Sequence, residues 1–151
     1  MNSILIVCRA NLCRSPMAEV VLRACAPAMG VTRVGSAGAW AGSRPEPMDA
    51  RAKAALERRK YTVPPKWRSR RVQREDLAQW DLILAADTEV LANLQALWPE
   101  APANRLRLFL DHVPEHHGQD LPDPYFSSTA GFEAVLDLIE RSVATISRRR
   151  V

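Results

Sequence analysis

The chain has 151 residues, of which 47% are hydrophobic and 25% are charged. No apolar run approaches the roughly 20 residues of a membrane helix, so the composition excludes a disordered or membrane-embedded chain and favours one globular domain over residues 1–151. The net charge of +4 suggests an anionic ligand, and three cysteines, an odd number, suggest a reducing cytoplasm rather than a secreted disulfide framework.

The first half of the chain predicts two strands and two helices in alternation. Ile4–Val7 is a short apolar run, mostly β-branched, which is typical of a buried parallel strand. Ser15 and Pro16 predict a helix start with Ser15 as the N-cap, and Gly30 predicts its end. A short strand over 32–36, a loop rich in glycine and proline over 35–47 and a helix over 48–60 follow.

The second half repeats the alternation. Leu82–Ala86 predicts a third strand, and Asp87 predicts the N-cap of a helix that Pro99 ends. The run 106–110 predicts a fourth strand, and a polar loop over 111–129 leads into the last helix. The apolar face of that helix comprises Phe132, Val135, Leu136, Ile139, Val143 and Ile146.

This order predicts the fold class. Strands separated by helices indicate an α/β protein, a single three-layer domain in which a four-stranded parallel sheet has helices on both faces. In such folds ligands bind beyond the carboxyl ends of the strands. The loop after the first strand is therefore the first place to look for chemistry.

That loop places Cys8 five residues before Arg14. A turn this short between a strand and a helix must curl tightly, so its amide groups can face inward as an anion-binding nest. The helix N-terminus and the guanidinium add positive charge at the same point. A thiol in such a field ionises readily and can attack a phosphoryl group held by the same donors. A buried cysteine followed by an unrelated surface arginine would show the same spacing.

Further motifs accompany this loop along nearly the whole chain. They are Val7-Cys8 with Asn11-Leu12-Cys13-Arg14-Ser15-Pro16, Ala18-Glu19, Ser36-Ala37-Gly38 with Trp40, Ser69-Arg70, Trp80-Asp81-Leu82-Ile83-Leu84 and Leu121-Pro122-Asp123-Pro124-Tyr125. In this order they resemble the low-molecular-weight protein tyrosine phosphatase family. The resemblance is greatest to the bacterial branch that acts on tyrosine autokinases of exopolysaccharide export.

The resemblance implies hydrolysis of phosphotyrosine proteins in two steps, with no cofactor or metal. Cys8 would form a cysteinyl-phosphate intermediate, Arg14 would bind the phosphate, and Asp123 would protonate the leaving phenolate and later activate water. Inorganic phosphate would be the product and a tyrosine autokinase the partner. Proline at 124 holds the preceding residue extended, which suits a loop acid, although Asp120 is a nearby alternative.

The resemblance also implies binding and supporting roles. Substrate contacts would come from Arg9, Ala10, Asn11, Leu12, Cys13, Ser15, Trp40 and Tyr125. Asn11, Ser15 and Ser36 would support the loop through side-chain hydrogen bonds. Trp40 and Tyr125 would flank the phosphotyrosine ring as aromatic walls, although partial core packing is an alternative for Trp40.

Several positions depart from the family pattern. Ala10 replaces a common glycine and would be strained if the loop requires a positive φ there. Trp67 stands where many relatives have a histidine near Asn11, and Arg9 adds a charge at the rim that favours acidic phosphopeptides. Cys13 either pairs with Cys8 in a reversible disulfide on oxidation or is a small packed residue.

Four other functions fit parts of the sequence. Arsenate reductases of this fold carry further cysteines after the third strand, and 82–89 contains none. Protein arginine phosphatases carry threonine at the position of Leu12, so Leu12 and the aromatic rim favour phosphotyrosine. The basic segment 51–74 lacks a nucleic-acid motif, so no nucleic acid is expected. Zinc binding by Cys8 and Cys13 with His112, His116 or His117 matches no standard spacing.

Overall fold

The computed structural model describes the backbone of residues 1–150 and the side chains of residues 1–148, so Val151 lies outside the described residues. The strands are β1 (Ser3–Cys8), β2 (Arg33–Gly38), β3 (Leu82–Ala85) and β4 (Leu106–Leu108). The helices are α1 (Arg14–Met29), α2 (Ala50–Arg58), α3 (Arg74–Leu77), α4 (Thr88–Leu97) and α5 (Thr129–Arg150). Two 3₁₀ turns, Phe109–His112 and Pro114–His116, follow β4.

The four strands form one parallel sheet in the order β2-β1-β3-β4, which confirms the predicted α/β class. Successive residues of β1 point to opposite faces. Ile4 and Ile6 join the core on the side of α1 and α5, which includes Met17 and Phe132. Leu5 packs with the core on the side of α3 and α4. Because both faces are covered, β1 has no polar alternation, as expected of a central parallel strand.

Two predicted helix boundaries are confirmed by their caps. Gly30 ends α1 in the left-handed region at φ 72°, where its missing Cβ avoids strain. Asp87 is the N-cap of α4, since its carboxylate accepts a hydrogen bond from the Val90 amide at 2.8 Å.

The predicted N-cap of α1 is wrong. The helix begins at Arg14 with Cys13 as the N-cap, and no side chain caps it. The Ser15 hydroxyl is turned instead toward Cys8, so the first-turn amides, which have no intrahelical acceptor, are not capped by a side chain.

The fourth strand is shorter than predicted. Its ladder ends at the pair Ala85↔Leu108, because β3 ends there and offers no further partner. Leu110 is buried, but it lies in a 3₁₀ turn. Further differences are that β2 continues to Gly38, the helix predicted over 48–60 starts at Ala50 and ends at Arg58, and α3 was not predicted.

The carboxyl ends of the central strands gather the site. Cys8 is the last residue of β1, and Asp87 follows β3 by two positions. The Leu121 amide donates to the Ala86 carbonyl at 2.8 Å, so the loop before α5 is tied to the same edge. None of the described helices is both long and apolar enough to cross a membrane.

Candidate active site

The turn from β1 into α1 wraps around the Cys8 sulfur. The Asn11 amide donates to Sγ at 3.3 Å, and the Ser15 Oγ lies 2.9 Å from Sγ. Asn11 has the one positive φ in this turn, 59°, which asparagine tolerates better than most residues. Strain was expected at Ala10 only if its φ were positive. Ala10 does not have a positive φ, so no such strain arises.

The Asn11 side chain is fully buried and holds the turn in shape. Its Nδ2 donates to Ser15 Oγ at 2.8 Å and to Ser36 Oγ at 3.0 Å. Its Oδ1 accepts from the Arg70 amide at 3.0 Å. The Asn11 side-chain amide thus uses both of its N–H donors and one of its two oxygen lone pairs. These three hydrogen bonds fix its orientation.

The hydrogen bonds around Ser15 determine where its proton points. Its oxygen accepts from Asn11, so its single proton is free to bond elsewhere. The nearby acceptors are the Cys8 sulfur at 2.9 Å and the Ala37 carbonyl at 3.4 Å. A negatively charged sulfur would take this proton's hydrogen bond in preference to the more distant carbonyl.

The same network ends on a buried carboxylate that the sequence interpretation did not assign. Ser36 donates to Glu19 Oε1, which also accepts from the Trp67 indole at 3.0 Å. Arg23 pairs with the other oxygen at 2.8 Å. Because the carboxylate accepts the Ser36 proton, Ser36 presents a lone pair to Asn11. Trp67 therefore supports the network as a donor that cannot titrate.

Arg14 is held almost completely buried, with 3% of its side chain exposed. Its Nη1 donates to Asp87 Oδ2 and to the Leu121 carbonyl, both at 2.9 Å. Burial opposes its charge, but the neighbouring Cys8, Asp87 and Asp123 outweigh burial and raise the pKa of Arg14 above its ordinary value. The guanidinium is thus a fixed cation whose Nη2 faces the acid loop.

The two candidate acids occupy different positions. Asp123 lies in the pocket with its Oδ2 3.7 Å from Arg14 Nη2, and 48% of its side chain is exposed. Its Oδ1 accepts from the Tyr125 amide at 3.1 Å. Asp120 instead accepts from the Thr88 amide at 2.8 Å, at the start of α4. The geometry favours Asp123 as the acid that can reach a substrate.

These residues line a pocket of about 340 Å³. Its lining comprises Cys8, Arg9, Ala10, Leu12, Cys13, Arg14, Asp123, Tyr125 and Phe126. The side chains of Asn11 and Ser15 are fully buried, and neither residue lines the pocket. Trp40 is outside the lining, where the Arg9 guanidinium stacks on its ring at 5.0 Å, and Arg9 also pairs with Glu89 at 2.6 Å.

The second cysteine of the loop differs chemically from the first. Burial and the nearby Asp49 raise the pKa of the Cys13 thiol to about 12, so it stays protonated at neutral pH. All three cysteines are free thiols in this structure. The reversible pairing of Cys8 with Cys13 remains a prediction. Among the described residues, no group of three or more His, Cys, Asp or Glu side chains is placed to hold a metal.

Three residues of the site were missed by the sequence interpretation in these roles. Asp87 was assigned only as a helix cap, and Glu19 only as part of a motif. Phe126 was not singled out, although it follows the Asp-Pro-Tyr motif directly. Only for Phe126 does the local sequence carry a signal, since an aromatic residue in a polar loop beside a proposed acid suggests a surface contact.

Comparisons with known proteins give matches over nearly the whole chain. A family model described as low molecular weight phosphotyrosine protein phosphatase matches residues 3–149. The low molecular weight protein-tyrosine-phosphatase Etp of Escherichia coli K12 is 33% identical over 148 residues, covering 98% of this chain and 94% of Etp.

Solved structures give the same result at the level of the fold. Vibrio vulnificus Wzb in complex with benzylphosphonate has a TM-score of 0.86 and 30% identity, with 98% of each chain covered. The YwlE arginine phosphatase of Geobacillus stearothermophilus has a TM-score of 0.86 and 26% identity, with 99% of this chain and 92% of that chain covered. The sequence match over nearly the whole length, together with a cysteine and an arginine on the turn between β1 and α1, shows that this chain belongs to the low molecular weight phosphotyrosine protein phosphatase family, whose members are hydrolases.

Proposed function

We propose that this protein-tyrosine-phosphatase works through a cysteinyl-phosphate intermediate. The Cys8 thiolate attacks the phosphorus of a bound phosphotyrosine as the bond from phosphorus to the phenolic oxygen breaks. The protonated Asp123 gives its proton to that oxygen, so tyrosine leaves as the neutral phenol. The loop amides and Arg14 hold the phosphoryl oxygens, where charge is spread in the transition state.

In the second step water attacks the phosphorus and the bond from sulfur to phosphorus breaks. Asp123, now a carboxylate, takes a proton from the water, and inorganic phosphate is released. The sulfur leaves as a thiolate, which the Asn11 amide at 3.3 Å and the Ser15 hydroxyl at 2.9 Å stabilise. The same two donors therefore assist both the attack and the departure of the sulfur.

One observation carries the proposal. The Cys8 sulfur sits at the base of the pocket, faced by two donors, and the buried Arg14 is clamped at the same site by Asp87 and the Leu121 carbonyl. A structural cysteine would not need a fixed cation and a network of oriented donors around its sulfur. A residue set of this kind is suited to an oxyanion and to a sulfur that carries negative charge.

The proposed substrate is the phosphotyrosine of a tyrosine autokinase linked to exopolysaccharide export, met in the cytoplasm. What supports this assignment is the resemblance of the motifs to that bacterial branch and the similarity to the proteins named Etp and Wzb. The aromatic side chains of Tyr125 and Phe126 at the pocket suit a flat phenyl ring.

The test compares wild type, Cys8→Ser and Asp123→Ala on a phosphotyrosine peptide. Cys8→Ser is expected to show essentially no turnover. Asp123→Ala is expected to lose kcat by about 100-fold or more, and to lose less when the leaving group is already acidic, because general acid catalysis matters most for a poor leaving group. Turnover by Cys8→Ser would contradict the proposed nucleophile.

A phosphoarginine peptide measured alongside distinguishes the related activity. Because Leu12 and the aromatic lining favour phosphotyrosine, wild type is expected to hydrolyse the phosphotyrosine peptide with the higher kcat/KM. The reverse preference would transfer the assignment to arginine phosphatase activity. In that case Cys8→Ser and Asp123→Ala would still test the proposed mechanism, but not the proposed substrate.

A further inference from the structure

The loop that carries the proposed acid, residues 122–126, is exposed at every position except Pro124. Within residues 122–126, Asp123, Tyr125 and Phe126 are exposed, Phe126 to 97%. The Asp123 Oδ1 accepts from the Tyr125 amide inside the loop, and its Oδ2 lies 3.7 Å from Arg14 Nη2, which is longer than a hydrogen bond. A general acid must be held in hydrogen-bonding range of the leaving oxygen, and small displacements are costly.

Arg51, on the first turn of α2, reaches this loop from outside. Its Nη1 donates to the Tyr125 carbonyl at 2.9 Å. Its guanidinium lies 5.3 Å from the centre of the Tyr125 ring and 4.7 Å from that of the buried Phe132 on α5. A single side chain thus contacts the main chain and the ring two residues beyond Asp123.

Asp49 holds Arg51 in this position and joins it to the turn between β1 and α1, residues 9–13, which is the phosphate loop of the proposed mechanism. Its carboxylate accepts from Arg51 Nη2 at 2.9 Å and Nε at 3.2 Å, which fixes the plane of the guanidinium. The Asp49 amide donates to the Leu12 carbonyl at 3.0 Å. The pair therefore bridges the turn that carries the nucleophile and the loop that carries the acid.

We propose that Arg51 is a positioning residue for the general acid, held by Asp49 so that the acid loop keeps Asp123 in register with Cys8. This inference rests on the proposed function and adds to it a residue outside the sequence motifs that define the site. It differs from a role in substrate binding, because Arg51 is not among the residues that line the pocket and contacts the acid loop instead.

The test uses two aryl phosphates that differ in leaving group. Phenyl phosphate needs the acid, and p-nitrophenyl phosphate, with a much more acidic phenol, needs it far less. Arg51→Ala is expected to lower kcat/KM about tenfold on phenyl phosphate and less than about twofold on p-nitrophenyl phosphate. Arg51→Lys should fall between, since lysine keeps the charge but lacks the planar fork. The inhibition constant of inorganic phosphate should not change.

A double substitution separates positioning from other effects. In the Asp123→Ala background, Arg51→Ala should cause no further loss on phenyl phosphate, because the acid it positions is gone. Lys53→Ala, an exposed cation on the same helix, is the matched control and should leave both substrates unaffected. A flattened alkaline limb in the pH profile of kcat/KM for Arg51→Ala would agree with a displaced acid, because wild type loses activity there as the general acid loses its proton.

The outcomes distinguish a failure of the proposed phosphatase function from a failure of the proposed positioning role of Arg51. A wild type that hydrolyses neither aryl phosphate would overturn the proposed function. An active wild type in which Arg51→Ala loses activity equally on both substrates, weakens phosphate inhibition, or adds to the loss of Asp123→Ala would overturn the positioning role alone. Denaturation midpoints of each variant, with Arg51→Lys as the milder change, show whether a loss reflects unfolding.

Discussion

At the scale of single residues, two cysteines five positions apart on one turn have opposite environments. The Cys8 sulfur accepts a hydrogen bond from the Asn11 amide at 3.3 Å and lies 2.9 Å from the Ser15 hydroxyl. Cys13 is the buried N-cap of α1, and its surroundings include the carboxylate of Asp49. Position within the turn, rather than membership of it, decides which thiol is suited to nucleophilic attack.

The raised pKa of Cys13 predicts a loss of stability at alkaline pH. The pKa of this thiol is 9.0 in the unfolded chain and rises to about 12 in the folded protein. Below pH 9 the thiol is protonated in both states, so its full contribution to the free energy of unfolding is present there. This stability is lost as the pH rises from 9 toward 12, because the unfolded thiol ionises while the folded one cannot. At about pH 10 the loss should be about 1 kcal/mol relative to a variant without the thiol.

Urea denaturation of wild type and Cys13→Ser at pH 8 and about pH 10 checks this prediction. Wild type should lose more stability between the two pH values than the variant does. Tyr61, whose pKa burial and Glu140 also raise, affects both proteins alike and cancels in the difference. Equal losses in the two proteins would show that Cys13 ionises as freely in the folded state as in the unfolded chain.

At the scale of elements, the end of β2 forms the back wall of the phosphate loop. Gly38 pairs with Cys8 in the sheet, and its amide donates to the Arg70 carbonyl at 2.9 Å. A Cβ built on Gly38 would lie 2.8 Å from the Ala10 carbonyl carbon and 2.9 Å from the Asn11 amide nitrogen. The glycine is therefore required for the close approach of two backbones.

Gly38→Ala should push the phosphate loop out of shape. Overpacking of this kind is expected to cost about 2 kcal/mol of stability and to lower kcat/KM strongly, since the displaced atoms surround Cys8, the proposed nucleophile. Thermal denaturation and aryl phosphate kinetics measure both effects. Gly42→Ala is the matched control, because a Cβ there meets nothing within 4 Å. Equal behaviour of the two variants would contradict the close approach.

The elements also show which features local sequence can predict. The apolar run of β1, the Asp87 cap and the Gly30 terminus are set by neighbouring residues, and each was predicted. Leu110 carries the same apolar signal as Leu108, but a strand also needs a partner, and β3 ends at Ala85. Strand ends depend on pairing across the sheet, which a single segment does not encode.

The same reason limits prediction of the site. Cys8, Arg14 and Asp123 could be selected from motifs and from the resemblance, and the structure brings them to one pocket. The residues that hold them could not. Arg14 and Asp87 are 73 positions apart, and Trp67 and Glu19 are 48 apart. The tertiary fold determines which of the many acidic residues lies next to a given arginine. Local sequence therefore does not predict such pairs.

At the scale of the whole molecule, carboxylates from other segments offset part of the positive charge of the basic segment 51–74. Arg59 pairs with Glu133, Asp137 and Glu140 and fastens α2 to α5. Arg51 and Arg70 are also paired with carboxylates, Asp49 and Asp76. Ion pairs within the protein reduce the field available to a polyanion. The expectation that no nucleic acid binds therefore remains a prediction, and this pairing supports it.

Binding of the product should stabilise the whole fold. Inorganic phosphate at about ten times its dissociation constant adds about 1.4 kcal/mol, which corresponds to a rise in Tm of about 4 °C for a chain of this size. Differential scanning calorimetry of wild type should show this rise. Arg14→Ala should abolish it, and Arg68→Ala, which removes an exposed cation outside the pocket, should retain it. A rise that survives in Arg14→Ala would place phosphate elsewhere.

The distance along the chain between Cys8 and Asp123 has a consequence for biosynthesis. The ribosome makes the proposed nucleophile 115 residues before the proposed acid, and the loop of that acid is tied to Ala86 and Arg51. A nascent chain thus carries the Cys8 sulfur long before the Asp123 carboxyl group exists. On the proposed mechanism, turnover begins only after the acid loop has been synthesised and has docked on Ala86 and Arg51.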